Sequence, residues 1–432
     1  MEWSIKEIYE QVYQGRKVVI DTRKITGDEV FFALRGDHQD GNSYALQALE
    51  KGAAFAIVDS KELEGKDDRL VLVEDSLTTL QELSRYHRSQ LTIPIIGVTG
   101  SNGKTTTKEL LVAVLSQRYR VAATSGNYNN HIGVPLTLLA TSQDAEILVL
   151  EMGTNQPGDI EELCVIGDPT HGVITNIGDA HLEKLIDREG VLEEKGALHR
   201  HVLKAKKGTF FIYDDDPYLS RLLTPDRDSA IPYGSKTSYH ITSVNTSIGL
   251  SDITIALDGE EIHIQTSLTG QHNVQNVLTA AVVAHHFGIT GEKITEGIAS
   301  YEPTNMRSQI KLTDRNRLLI DAYNANPSSM SASIKTASMT KERVVFILGD
   351  MLELGEKSYK FHEEIIEEIG RLGVSDVIVV GPVFAKAVGD KYLAYQHVED
   401  LVDSGHLSTI HNALVLIKGS RGIQLEKVLD HL

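Results

Sequence analysis

The sequence predicts an α/β protein built in three domains. Residues 95–116, Ile-Ile-Gly-Val-Thr-Gly-Ser-Asn-Gly-Lys-Thr-Thr-Thr-Lys-Glu-Leu-Leu-Val-Ala-Val-Leu-Ser, read as a buried strand, a glycine-rich turn and a helix. Strand-like and helix-like runs alternate before and after residues 238–270, a stretch that is itself Thr/Ile/Ser-rich and alternating. A break at Glu302-Pro303-Thr304 separates the last alternation from the rest. Such alternation implies mostly parallel sheets with helices on both faces. At 432 residues the chain is long for one domain, and the expected parts are residues 1–91, 92–303 and 304–432.

The elements follow in order. The charged start, Met-Glu-Trp-Ser-Ile-Lys-Glu-Ile, reads as a helix of the fold and not as a signal peptide. Short apolar strands are expected at Lys17–Ile20, Val30–Leu34, Phe55–Val58 and Leu70–Val73, with helices at Ser43–Lys51 and Leu77–Ser89, giving a small N-terminal α/β domain. The central domain has strands at Ile95, Glu146–Glu151 and Gly172–Asn176. Its antiparallel addition is a meander over 238–270 with a turn at Leu257-Asp-Gly-Glu260, followed by a helix at Asn273–Phe287. The C-terminal domain, a second strand–helix alternation, carries strands at Leu318–Asp321, Val344–Gly349, Val377–Val380 and Leu414–Lys418.

Composition narrows the function classes. Forty-two Lys and Arg against 60 Asp and Glu give a net charge of −18, which argues against a nucleic-acid or anionic-membrane surface. No apolar run approaches the roughly 20 residues of a membrane span. One cysteine, Cys164, permits no internal disulfide and suits a reducing cytoplasm. Its apolar helical setting (Ile160, Leu163) reads as a buried structural thiol.

The glycine-rich turn carries the first chemistry. Backbone N–H groups of such a turn and of the helix start can cradle a triphosphate, here from Gly100, Ser101, Asn102, Gly103, Lys104, Thr105 and Thr106. Lys104 would reach the outer phosphates, and Thr105 would offer its hydroxyl to Mg²⁺. The spacing departs from the common G-x-x-x-x-G-K-[ST]: Val98 stands five residues before Gly103, flanked by Gly97 and Gly100. In such sheets ligands lie at strand carboxyl ends. Glu151 ends a strand and can hold Mg²⁺, or is a solvated acid. His181, in Asn-Ile-Gly-Asp-Ala-His, is a ligand or phosphate contact, or a plain loop residue. Lys195 among acids on a helix reads on its own as an i,i+4 salt-bridge lysine. Gly126-Asn-Tyr-Asn-Asn-His-Ile-Gly133 offers the amides of Asn127, Asn129 and Asn130, for a polar substrate or for Asx turns. In the last domain, Asp321-Ala-Tyr-Asn-Ala-Asn-Pro-Ser-Ser follows a strand, Lys418-Gly-Ser-Arg421 suits a carboxylate or phosphate, and Arg307 lies at the break.

These pieces in this order resemble the ATP-dependent Mur ligases of peptidoglycan synthesis, whose phosphate loop has the Thr-Gly-Ser-Asn-Gly-Lys-Thr form seen here, and the likeness runs over nearly the whole chain. Gly126–Thr137, Asp321–Met330 and Lys418–Arg421 point to the branch that adds D-alanyl-D-alanine; the Tyr-Ala-His-Thr-Pro and Asp-Asn-Pro-Arg stretches of amino-acid-adding relatives are missing. The resemblance implies that the first domain holds the UDP end of UDP-N-acetylmuramoyl-tripeptide, through Asp21-Thr22-Arg23 and the segment Leu34–Asn42 with Arg35 and Asp40. It implies ATP and metal in the central domain, with Thr105, Glu151, His181 and a carbamylated Lys195 serving Mg²⁺. His272 and Asn276 match the adenine-side segment, and Arg307 and Asp321 match ribose contacts. The third domain, which the resemblance implies to be Rossmann-like, would present the amine; substrate-side candidates are Asn127, Asn129 and Asn130 in the central domain and Tyr323, Asn324, Asn326, Ser329, Lys418 and Arg421 in the third. Departures from the family pattern are Asn305-Met306 for Pro-Gly, Ala197 after Gly196, Ala322 after Asp321, and Arg35 for lysine.

The implied reaction is ATP-dependent, ADP-forming amide synthesis through an acyl phosphate, in a cytoplasmic monomer that binds neither nucleic acid nor membrane. Lys104, Lys195 and His181 are the expected catalytic groups. Two rivals stay open: a related ligase adding a different amino acid, and a nucleotide-driven binding module without an amine acceptor.

Overall fold

The computed structural model describes residues 3–36, 39–204, 208–223 and 229–432. Its contacts divide the chain into two compact units, each drawn from several segments. One comprises Met1–Thr99, Tyr119–Val173 and Ala197–Phe210; the other comprises Gly100–Arg118, Ile174–Gly196 and Phe211–Leu432.

Four short parallel strands form the first sheet, in the order β1 (Val18–Val19), β2 (Val30–Phe32), β3 (Phe55–Val58) and β4 (Leu70–Leu72). Every residue of β2 is buried, because the strand is covered on both faces. Ile8, Val12, Leu80 and Leu83 pack with Phe32 and Ile57, and Ala45, Ala48 and Leu49 pack with Phe31 and Ala56. This is why these strands read as apolar runs and not as alternations. The N-terminal helix is more irregular than expected: Ile5–Glu7 is α-helical and Ile8–Tyr13 continues as a π-helix.

The second sheet has six strands: β5 (Ile95–Thr99), β6 (Val121–Ala123), β7 (Ile147–Glu151), β8 (His171–Ile174), β9 (Thr209–Tyr213) and β10 (Ala230–Tyr233). Their order is β10-β9-β8-β5-β7-β6. β7 runs parallel to both β5 and β6, with Glu151 in register with Val98. The antiparallel meander is present as β11 (Tyr239–Ser247), β12 (Leu250–Leu257) and β13 (Glu260–Thr266). In β12, buried Ser251, Ile253, Ile255 and Leu257 alternate with half-buried neighbours, the period-2 pattern of a sheet covered on one face.

The last sheet runs β14 (Gln309–Leu312), β15 (Arg317–Asp321), β19 (Ala413–Lys418), β16 (Arg343–Gly349), β17 (Val377–Val380), β18 (Leu393–Tyr395). All of its pairs are parallel except β14 with β15. The four central strands match the sequence expectation. Edge strands β14 and β18 were not foreseen; they are short and only partly covered, so they lack an apolar run.

Candidate active site

The phosphate loop is held by two glycines for two different steric reasons. Gly100 has φ 148°, and a Cβ there would stand 1.8 Å from Thr175 Oγ1. Gly103 has φ 77°, and a Cβ there would meet Asn276 Oδ1 at 2.6 Å. Both approaches require glycine. Asn176 braces the loop from the next strand end: Ser101 N–H donates to its carbonyl (3.0 Å) and Asn102 N–H to its Oδ1 (3.1 Å). Ser101 Oγ donates to Gly178 O at 3.2 Å, and Lys104 Nζ donates to Gly100 O at 2.7 Å. The N-cap of helix Lys104–Leu115 is Gly103, which has no side chain to cap it, and a helix start of this kind suits an anion.

Asn276, expected on the adenine side, lies buried beneath this loop, where its Oδ1 accepts from Thr107 Oγ1 at 3.3 Å. It acts as a strut here. The loop tip is also tied to the C-terminal segment. Asn102 Nδ2 donates to Ser328 Oγ at 3.0 Å, and Asn326 Nδ2 donates to Asn102 Oδ1 at 2.8 Å.

Glu151 ends β7 almost fully buried; Asn129 Nδ2 donates to its Oε1 at 2.8 Å, while Oε2 has no partner. Asn130 caps the helix Gly133–Leu139 by accepting from Ile132 N–H (3.1 Å) and Gly133 N–H (2.8 Å). Asn127 contributes its carbonyl to Asn129 N–H at 2.7 Å. Of the three amides, Asn129 is thus turned to the acid and Asn130 to the backbone.

Lys195 lies in the helix Arg188–Lys204 with no exposed surface, and its Nζ has no hydrogen-bond partner. Burial above all, and next the ammonium of Lys104, push its pKa well below the ordinary value, with Glu194 opposing. An isolated surface salt bridge does not describe this residue. His181 Nδ1 is 2.8 Å from Glu353 Oε2. Sequence reasoning missed Glu353, yet it was findable by the rule applied to Glu151, since it follows the carboxyl end of β16.

In the C-terminal segment, the guanidinium of Arg307 lies 3.7 Å from the centroid of the Tyr323 ring. Its neighbours Asn305, Met306 and Ser308 have φ of 57°, 56° and 50°, so the break is a left-handed run of non-glycine residues. Lys418, expected to suit a ligand carboxylate or phosphate, has a buried Nζ that donates to Asp321 Oδ2 at 2.6 Å and to Asn324 O at 3.3 Å. Burial pushes the Asp321 carboxyl up, but Lys418 outweighs it and holds the group below its ordinary value. Asp321 Oδ2 also accepts from Ser333 Oγ at 2.7 Å. Half-buried His272 sits in their field; burial lowers its pKa, Asp321 opposes and Lys418 adds. Asn326 and Ser329 form the capping box of helix Pro327–Ala337. Arg421 faces Glu426 at 3.6 Å.

The first-sheet candidates are more dispersed. Arg35 pairs with Asp59 at 2.8 Å and approaches Asp40 at 4.0 Å, and Asn42 Nδ2 donates to both acids (2.7 and 2.8 Å). Thr22 Oγ1 reaches only Gln47 Oε1, at 3.4 Å. Asp37 and His38 of that motif lie outside the described residues.

Comparison with known proteins places these features. Three Mur ligase families match in succession: the catalytic domain family over residues 16–88, the middle domain over 98–284 and the glutamate ligase domain over 306–421. The chain is 34% identical to the UDP-N-acetylmuramoyl-tripeptide–D-alanyl-D-alanine ligase of Bacillus subtilis strain 168, across 98% of this chain and 94% of that one. This chain belongs to the Mur ligase family. Among solved structures, this Mur ligase is similar to MurF from Acinetobacter baumannii (TM-score 0.87, 26% identity, 100% and 98% of the two chains). It is also similar to MurF from Thermotoga maritima in complex with ADP (TM-score 0.86, 29% identity, 98% of each chain). The fold is the three-domain α/β fold of Mur ligases. No described helix of this Mur ligase is long and apolar enough to cross a membrane.

Proposed function

We infer that this Mur ligase joins D-alanyl-D-alanine to UDP-N-acetylmuramoyl-tripeptide with ATP, forming a C–N bond and releasing ADP and phosphate. The observation that carries this reading is the likeness, over 98% of the chain, to a relative of that name. It is supported by an uncapped helix start behind a loop that tolerates no side chain at Gly100 or Gly103.

The chemistry follows from charge. The terminal carboxylate of the tripeptide attacks the γ-phosphorus of ATP, and two anions must meet. Lys104 and the loop N–H groups offset that repulsion and the charge that develops in transfer. The acyl phosphate then carries a good leaving group, and the dipeptide amine displaces it. Exclusion of water keeps the acyl phosphate from hydrolysis.

Mg²⁺ fits the donors present. Such a cation is held by one or two protein oxygens and keeps waters and substrate phosphates as its other ligands. Glu151 Oε2 is a buried carboxylate oxygen with no partner, Thr105 offers a hydroxyl at the helix start, and His181 retains Nε2. Burial favours the neutral form of the Lys195 amine, the form that adds CO₂ and releases a proton to give an anionic carbamate. Mg²⁺, when bound, would neutralise charge on the phosphates. The residues matching UDP-side contacts are Thr22, Arg35 and Asp40, in a domain spanning 1–91; ATP belongs to 92–303 and the amine to 304–432. A cytoplasmic monomer completes the reading.

The test is phosphate release from ATP with UDP-N-acetylmuramoyl-tripeptide and a varied amine. D-alanyl-D-alanine is expected to support release and single amino acids are not. The reverse pattern, or release that ignores the amine, overturns the assignment.

A further inference from the structure

We propose that Glu353 is a positioning residue for His181: it fixes the imidazole in the Nδ1–H tautomer and so presents a bare Nε2 lone pair. This rests on the reading above that His181 serves phosphate or metal.

The carboxylate of Glu353 can only accept, so the 2.8 Å contact places the proton on His181 Nδ1. Nε2 is then the ring atom left to bind a cation or accept a hydrogen bond. The contact is built into the backbone. His181 has φ 53° and Glu353 has φ 65°, both in the left-handed region, which is unfavourable for non-glycine residues. Such conformations persist only where the surroundings hold them. Here they do: Glu183 N–H donates to Glu353 O at 3.4 Å, and Lys357 Nζ donates to Ile186 O at 3.2 Å. Gly355, at φ 56°, brings its backbone against Glu183, where a Cβ would stand 3.3 Å from Cα. Residues 353–357 therefore dock as a unit onto the turn 181–186. Because Glu353 belongs to the C-terminal segment, His181 acquires its tautomer from that segment and not from its own loop.

The experiment uses the full chain, labelled with ¹⁵N at histidine, with His181 assigned by loss of its signals in His181→Gln. At about pH 9, above the ordinary imidazole range near 6.5, His181 is expected to show a protonated Nδ1 and an unprotonated Nε2. In Glu353→Leu, which removes the acceptor, the signals move toward the Nε2–H tautomer, and in Glu353→Asp they stay largely as in the parent. Turnover in Glu353→Leu falls about 10–100-fold, in kcat and not in the KM for the UDP-linked peptide, and Glu353→Asp recovers most of it. A His181 tautomer unchanged in Glu353→Leu overturns the proposal. Should Glu353→Leu fail to fold, Glu353→Ala is read in the same way, and an Nε2–H tautomer in the parent alone is also decisive. The tautomer is read without substrate or metal, so failure here is distinct from failure of the ligase reading, which the amine assay detects.

Discussion

Single residues here are informative where their chemistry conflicts with their surroundings. Lys195 has a fully buried amine with no partner. Burying an unpaired polar group costs stability, so the position is disfavoured by folding and is kept for something else. Lys195→Met is therefore expected to keep or raise the urea midpoint while turnover falls by about 100-fold or more. Lys195→Ala is expected to be inactive and partly restored by acetate, whose carboxylate would stand in for the proposed carbamate; full activity in either variant returns Lys195 to a structural role. The sequence drew attention to Lys195 only through family resemblance, because its acidic neighbours made an ordinary ion pair the simpler reading. Burial is a property of the helix in place and cannot be read from Glu-Glu-Lys-Gly.

At the scale of elements, the glycine loop shows how far pattern alone reaches. Strand, turn and helix were legible because apolar run, glycines and helical periodicity follow one another. What the turn touches was not legible: Thr175 and Asn276 come from distant segments. Gly100→Ala forces both φ 148° and a 1.8 Å contact with Thr175 Oγ1, and is expected to cost about 3 kcal/mol and to abolish ATP binding. Gly126→Ala is the control: φ is 55° and nothing lies within 4 Å, so only the left-handed penalty of about 1 kcal/mol applies. Equal urea midpoints for the two variants would refute the steric account. Lys418 shows another limit of pattern. A cation at a strand end suggested a ligand contact, and what the pattern did not show is that the neighbouring parallel strand places Asp321 beside it, in register.

For the whole molecule, the net charge of −18 means that anionic substrates enter against the overall field, and only local donors attract them. Binding then registers as stabilisation of the folded chain. ATP at about 100 times its Kd is expected to add about 2.7 kcal/mol, seen as a rise in melting temperature that Lys104→Ala removes. A shift that survives Lys104→Ala would place the nucleotide elsewhere.

The tip of the phosphate loop carries one more consequence. Asn102 is shared between the loop and the cap of helix Pro327–Ala337, through Ser328 and Asn326. On the proposed reading, one side chain then joins the element that meets nucleotide to the element that meets the amine. Thermodynamic linkage demands symmetry: by whatever factor nucleotide changes the affinity for the incoming amine, the amine changes the affinity for nucleotide by that same factor. Asn102→Ala is expected to weaken that mutual dependence in both directions at once.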